Sequence, residues 1–236
     1  MRRITDSTAR VIVFVDGQNM WKSCKERYGH GPCHPLLIAD RLCEGRTLKG
    51  VRYYSAIHDP HVDPGMNASV RRRLSLMQKL GVTTVDRPLA YRDEWGVRVS
   101  GLPDPTENLG QKIQVEAVAY QRPREKGIDL ALALDVVDLA LRDAFDVGII
   151  VSSDADLCEV PNSIHRHMGH AFKHQMSIEA AVFNDRPSPV MMRNYSYTHQ
   201  LTRNDFETAR DSFNYHQELD PVLVQVLCST CDGLLH

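Results

Sequence analysis

Arg10-Val-Ile-Val-Phe-Val15 is an unbroken apolar, β-branched run that stops abruptly at Asp16-Gly17. A strand wetted on one face alternates apolar with polar residues. A strand without polar positions must be covered on both faces, which calls for a parallel sheet with helices above and below.

The rest of the chain alternates accordingly. Met20 to Tyr28 and Leu36 to Cys43 read as helical pieces, and Val51 to Ile57 as a second strand. Between Asn67 and Leu80, the residues Val70, Leu74, Met77 and Leu80 recur at three- and four-residue steps ahead of Gly81, marking a helix with one buried face. Val82 to Asp86 gives a third strand. From Asp129 to Ala144, the residues Leu130, Ala133, Leu134, Val137, Leu141 and Ala144 fall at helical spacing, and Asp146 to Val151 is a second buried-type strand. Leu157 to Met168 reads as a helix with Pro161 in its first turns, Ile178 to Phe183 as a fifth strand, and Arg203 to Phe213 as a helix. The expected fold class is α/β: a parallel sheet of about five strands flanked by helices, joined by right-handed crossovers.

Regularity lapses from Arg87 to Gln121. There, Tyr91 and Val97 to Val99 flank the turn-like Asp93-Glu94-Trp95-Gly96, and Pro103-Asp104-Pro105 breaks the chain. A hairpin-like insertion over the sheet edge is expected. The division that follows is an N-terminal extension over 1–9, a domain over 10–200 and a C-terminal helical extension over 201–236. In the last of these, the apolar stretch Val222 to Leu227 is suited to capping the domain or joining a homodimer.

The chain has 236 residues with 42% hydrophobic content, enough for a sizeable core. Its 28 Lys plus Arg stand against 30 Asp plus Glu, a net charge of -2, so no global field draws it to a polyanion and any nucleic-acid contact must be local. The run Val11 to Val15 is too short for a signal segment or a membrane span, so a soluble, cytoplasmic protein with no membrane partner is expected. Without an export signal the six cysteines are expected to be reduced, with Cys24, Cys33, Cys43 and Cys158 acting as small buried residues.

The chemistry lies where strands end. The strand ending at Val15 is followed at once by Asp16, with Asn19 a turn onward. The strand ending at Val151 runs into Ser152-Ser153-Asp154-Ala155-Asp156, and Asp129 opens the helix between them. In a parallel sheet all carboxyl ends share one edge, so these distant aspartates are brought together. Clustered carboxylates repel one another, and a hard divalent cation, magnesium or manganese, is their natural partner. Such an ion can activate water and neutralise charge on a phosphate under attack, so phosphodiester hydrolysis is the expected reaction.

Three segments carry a family resemblance: Val13-Phe-Val-Asp-Gly-Gln-Asn19, Lys126-Gly-Ile-Asp129 with Leu134-Asp135, and Val151-Ser-Ser-Asp-Ala-Asp-Leu157. Together they resemble the signatures of the NYN domain, within the PIN-like nuclease group, over roughly Arg10 to Tyr197. The resemblance implies a Rossmann-like, PIN-type sheet, an acidic pocket for Mg2+ or Mn2+, and ribonuclease activity on RNA, single-stranded or structured. By position, Asp16, Asp129, Asp154 and Asp156 match the catalytic and metal-binding acids. Asn19 matches a polar partner of the first aspartate, and Lys126 and Asp135 match further motif positions. Candidates for holding substrate are Asn19, Arg124, Lys126, Ser152 and Ser153. The family's Ser-Gly-Asp-Gly-Asp-Phe is here Ser-Ser-Asp-Ala-Asp-Leu, which keeps both aspartates and replaces both glycines.

Alone, Asp-Gly-x-Asn after a strand is most often a turn and helix cap. The ordered combination is what carries the nuclease reading. A catalytically weak or inactive RNA-binding adaptor is the rival, and a small-ester phosphohydrolase a third, disfavoured because Asp16-Gly-Gln-Asn lacks the second acid of an Asp-x-Asp nucleophile motif. Asp135 is as well suited to a salt bridge as to the site. The strip Arg122, Arg124 and Lys126 is better placed to hold substrate backbone than Arg71-Arg72-Arg73 with Lys79, which suits a solvated face. Trp95 and Tyr91 suit packing of the hairpin ahead of base stacking. The His165, His167, His170 and His174 group and the Cys228/Cys231 pair have no partner ligands fixed by spacing.

Overall fold

The computed structural model describes residues 2–98, 116–124, 127–168, 176–184 and 187–215. In chain order the elements are β1 (Arg10–Asp16), α1 (Gly17–Tyr28), α2 (Pro35–Cys43), β2 (Thr47–Ile57), α3 (Pro64–Lys79), β3 (Thr83–Pro88), β4 (Ala90–Arg98), β5 (Glu116–Arg124), α4 (Ile128–Leu141), β6 (Val147–Val151), α5 (Glu159–Met168), β7 (Ser177–Val182), α6 (Pro189–Asn194), β8 (Tyr197–Gln200) and α7 (Arg203–Ala209).

Six strands form one sheet in the order β3-β2-β1-β6-β7-β8, with every pairing parallel. The expected count was about five. The addition is β8, whose Tyr-Thr-His-Gln sequence offers no apolar run because it lies at the sheet edge.

β1 has both faces covered. Val11, Val13 and Val15 point into a core built with α1, α2, α3 and α7, while Ile12 and Phe14 join a second core with α4, α5 and α6. Both kinds of side chain are buried, which is why the segment contains no polar alternation. The chain builds β1, β2 and β3 outward on one side, then returns to place β6 beside β1 and continues to β8. The order therefore reverses between β1 and β6, and in such sheets ligands bind at the carboxyl ends of the strands flanking that point.

Two expectations need correction. Asp93-Glu94-Trp95-Gly96 is not a turn: β4 runs straight through it, pairing antiparallel with β5 from Ala90↔Arg124 to Arg98↔Glu116. The acidic residues that suggested a turn are instead held across the ladder, Asp93 by Gln121 and Glu94 by Arg122 and Arg124. In α4 the buried stripe is Ile128, Leu132, Val136 and Ala140, whereas Leu130, Leu134 and Leu141 are exposed. A helix with apolar residues on nearly every side has no unique face in sequence, so packing against β1 and β2 decides it.

The described part of the C-terminal extension belongs to the core. Phe206, Ala209 and Tyr215 are buried in the cluster of α1, α2 and α3. Arg72 and Arg73 serve this segment: Arg72 Nε donates to the Tyr215 carbonyl, and Arg73 lies against Asp211. The Val222 to Leu227 stretch and its homodimer expectation, like the Cys228/Cys231 pair, lie outside the described residues. Cys24, Cys33, Cys43 and Cys158 are free and buried, as expected. Among the described residues no helix is long and apolar enough to cross a membrane.

Candidate functional site

Asp16 is the last residue of β1 and the N-cap of α1, so one carboxylate meets two local demands. Its Oδ1 accepts the Asn19 backbone N–H at 3.0 Å, which starts α1 at Gly17 rather than at Met20. Its Oδ2 accepts the Ser152 hydroxyl at 3.1 Å, from the loop that follows β6. The cap reading and the site reading of Asp16 thus describe the same side chain.

A second link joins the two strand ends. Asn19 Oδ1 accepts both the backbone N–H and the hydroxyl of Ser153, each at 2.9 Å. Ser152 Oγ in turn accepts the Asp154 N–H at 3.1 Å, and Asp154 Oδ1 accepts the Asp156 N–H at 2.9 Å. These bonds fold Ser152 to Asp156 into a tight turn that leads into the single 3-10 turn Asp156–Cys158. Ser152 and Ser153 therefore fix the loop by donating to groups on the β1–α1 side. Their positions are occupied by residues with hydroxyls, and those hydroxyls are used.

Asp129 arrives from the opposite layer, in the first turn of α4, where the helix dipole favours a carboxylate. Electrostatics report the convergence. The Asp16 carboxyl is raised to about 6: burial pushes it up most, the hydrogen bonds from Asn19 and Ser152 pull it down, and the charges of Asp129 and Asp154 add to the rise. The Asp129 carboxyl is raised by partial desolvation and then by Asp154 and Asp156. Asp16 from β1 and Asp129 from α4 thus each feel charge from the loop after β6, at the carboxyl edge of the sheet.

The other candidates have the following partners or positions. Arg124, at the end of β5, is exposed and bonded to Glu94 at 2.9 Å. Lys126 lies outside the described residues, as do His170 and His174. Asp135 accepts from Arg52 at 2.7 Å and from the Tyr54 hydroxyl at 2.6 Å, so it closes an ion pair between α4 and β2. Tyr91 ties the hairpin to the loop after β2, its hydroxyl accepting the Asp59 N–H at 3.1 Å, and Trp95 is 78% exposed and packs little of the hairpin. Sequence reasoning did not find the bridging role of Ser152, for which a serine directly after a buried strand was the available signal. It also passed over Trp21, an aromatic on the otherwise polar outer side of α1.

The donor set suits a hard cation in one particular way. Among the described residues no three His, Cys, Asp or Glu side chains form a ready-made cage. Magnesium retains several waters and commonly takes one or two carboxylates, so a water-rich site resting on Asp16 and its neighbours fits these residues.

A six-stranded parallel sheet with the β1/β6 reversal and acids at its carboxyl edge defines an α/β fold of the PIN-like class. The NYN domain family matches residues 10–172, and the chain belongs to that family, whose fold is of nuclease type. Among solved structures, a protein of unknown function from Vibrio parahaemolyticus is similar, with a TM-score of 0.53 and 13% identity over 86% of this chain and 98% of that one. No curated protein matches the sequence.

Proposed function

We propose that the chain is a metal-dependent endoribonuclease that hydrolyses RNA phosphodiester bonds at the Asp16, Asp129, Asp154 and Asp156 edge. The observation that carries the reading is the buried Asp16 carboxyl, raised to about 6 while it faces Asp129 and Asp154. A site built at a standing electrostatic cost is explained if a divalent cation relieves it.

Asp16 and Asp154 would hold Mg2+ or Mn2+, with Asp129 and Asp156 completing the site directly or through water. When bound, the ion supplies a water of lowered pKa and a charge opposite to that building on the phosphate. The chain's own contribution is placement. Ser152 and the Asn19 N–H each occupy one lone pair of an Asp16 oxygen and fix the carboxylate plane. With Oδ1 committed to Ser153, Asn19 can offer a phosphate oxygen its Nδ2 amide, a donor. The attacking group is water, so cleavage leaves one phosphate-ended and one hydroxyl-ended fragment.

The adaptor reading keeps one supporting observation, the lack of a preformed three-donor cage among the described residues. Purified protein is incubated with labelled single-stranded RNA, DNA and a phosphate monoester in manganese, magnesium or chelator, beside Asp16→Asn and Asp154→Asn. RNA cleavage that needs metal and falls at least about a hundredfold in both variants is expected, given the size of effect that a lost charge-stabilising group has on catalysis. RNA binding without cleavage in every metal overturns the nuclease in favour of the adaptor.

A further inference from the structure

On the other face of the sheet, at the same carboxyl edge, lies a cleft of about 600 Å3. It opens between α1, the end of β2 and α3, and the Phe213 to Tyr215 segment closes one side. The size is that of a site for one small organic group. Tyr53 belongs to the core of Val11, Val13 and Val15, whereas Asp16 continues the alternation of Ile12 and Phe14. The cleft and the acids therefore open on opposite faces, and Gly17 is the residue between them.

Gly17 lets the Tyr53 side chain close against the start of α1. A Cβ there would stand 2.4 Å from the Tyr53 ring and hydroxyl and 2.7 Å from the Tyr54 carbonyl. The cleft wall thus starts one residue, about 3.8 Å along the backbone, from the buried acid.

Its lining differs chemically from the acidic edge. No Asp or Glu contributes to it, while Lys25, His58 and Arg73 do. Its exposed aromatic surface comes from Trp21 and the half-buried Phe213, with Tyr53 and Tyr215 buried behind them. Both of its formal cations are already held over rings: Lys25 Nζ is 4.5 Å from the Trp21 centroid, and the Arg73 guanidinium is 5.2 Å from that of Tyr53. Trp21 is 38% exposed at this cleft, on a helix whose outer side is otherwise polar. Arg73 is balanced by Asp211 behind the wall, so flat π surface beside the Lys25 ammonium is what the cleft offers, and it complements an aromatic ring that carries an anion.

We propose that this cleft takes one unstacked base of a single-stranded RNA, with Trp21 as the stacking platform and Lys25 beside its sugar-phosphate. This rests on the nuclease reading and deepens it. A strand crossing the edge over Gly17 puts a base in the cleft while the next phosphodiester reaches the acids. The enzyme then selects RNA that can release a base from its stack, so loops and single strands are favoured over duplex.

The test uses the whole chain. In a Trp95→Phe background Trp21 is the sole tryptophan, because the sequence has two. With chelator present, AMP, UMP and an RNA octamer are titrated against Trp21 fluorescence, and octamer affinity is measured by calorimetry for Trp21→Ala and Trp21→Phe. Saturable quenching is expected, with affinity falling about tenfold or more in Trp21→Ala and within about threefold in Trp21→Phe. Unchanged thermal melting of both variants separates lost stacking from lost folding. Absence of quenching by all three ligands, or equal octamer affinity in Trp21→Ala, overturns the cleft even if RNA is cleaved. Trp21-dependent binding without cleavage in any metal overturns the nuclease reading and leaves the cleft standing as a nucleotide site.

Discussion

Asp16 is held by the Asn19 N–H and the Ser152 hydroxyl while burial and two neighbouring carboxylates oppose its charge. A carboxyl whose pKa is raised by folding favours the native state when protonated. That contribution is complete below the unfolded value near 3.8 and is lost as pH rises through about 6. The shift corresponds to about 3 kcal/mol. In chelator, Asp16→Asn is therefore predicted to be more stable than wild type at pH 8 by about 1–3 kcal/mol, with the difference shrinking by pH 4. Urea denaturation at the two pH values checks this, and a wild type that is equally stable at both would refute it. The aspartates themselves were legible in sequence because each follows a strand or opens a helix, positions that topology alone sends to one edge. The bridging hydroxyls were not, since the partner of Ser152 depends on how the loop after β6 turns back toward β1. The cross-strand bond of Arg124 was hidden for a related reason: its partner Glu94 was assigned to a turn that does not exist.

At the level of elements, β1 and α4 show opposite kinds of legibility. The apolar run of β1 admits one reading, burial on both faces, and the structure meets it. α4 carries leucine or alanine on almost every side, so periodicity alone supports more than one face. Contact with Ile12, Phe14 and Tyr54 selects Leu132, which is fully buried, and leaves Leu134 at 60% exposure. Leu132→Ala is predicted to cost about 2–5 kcal/mol and Leu134→Ala less than about 0.5, both read from denaturation midpoints. Another buried pairing had no sequence signal. Glu179 in β7 accepts from Arg46 at 2.9 Å and lies 2.7 Å from His199 on β8. Burial alone would raise its pKa, but His199 and Arg46 hold it below the ordinary value. Glu179→Ala strands the buried Arg46 charge and is predicted to cost about 3–5 kcal/mol, with the same midpoints as readout. β8 escaped notice for a similar reason, as its inward residue is His199 and not an apolar one.

For the molecule as a whole, the parallel α/β architecture and the sharing of one edge followed from strand-and-helix alternation. The order of the strands did not, because nothing in the residues of β6 states which neighbour it will join. The observed order divides the sheet into two contiguous sets: residues up to β3 supply one half and residues from β6 onward supply the other. The chain passes from one to the other through the antiparallel β4–β5 pair, which stands apart from the main sheet. The acids sit on the seam, Asp16 from one side and Asp129, Asp154 and Asp156 from the other, stitched by Asn19–Ser153 and Asp16–Ser152. A protease cut between β4 and β5 would therefore leave two pieces that each carry three strands of the main sheet, and neither would own a complete centre. Produced separately, the two polypeptides should regain any catalysis only on mixing, with a concentration dependence that measures how tightly the halves find each other.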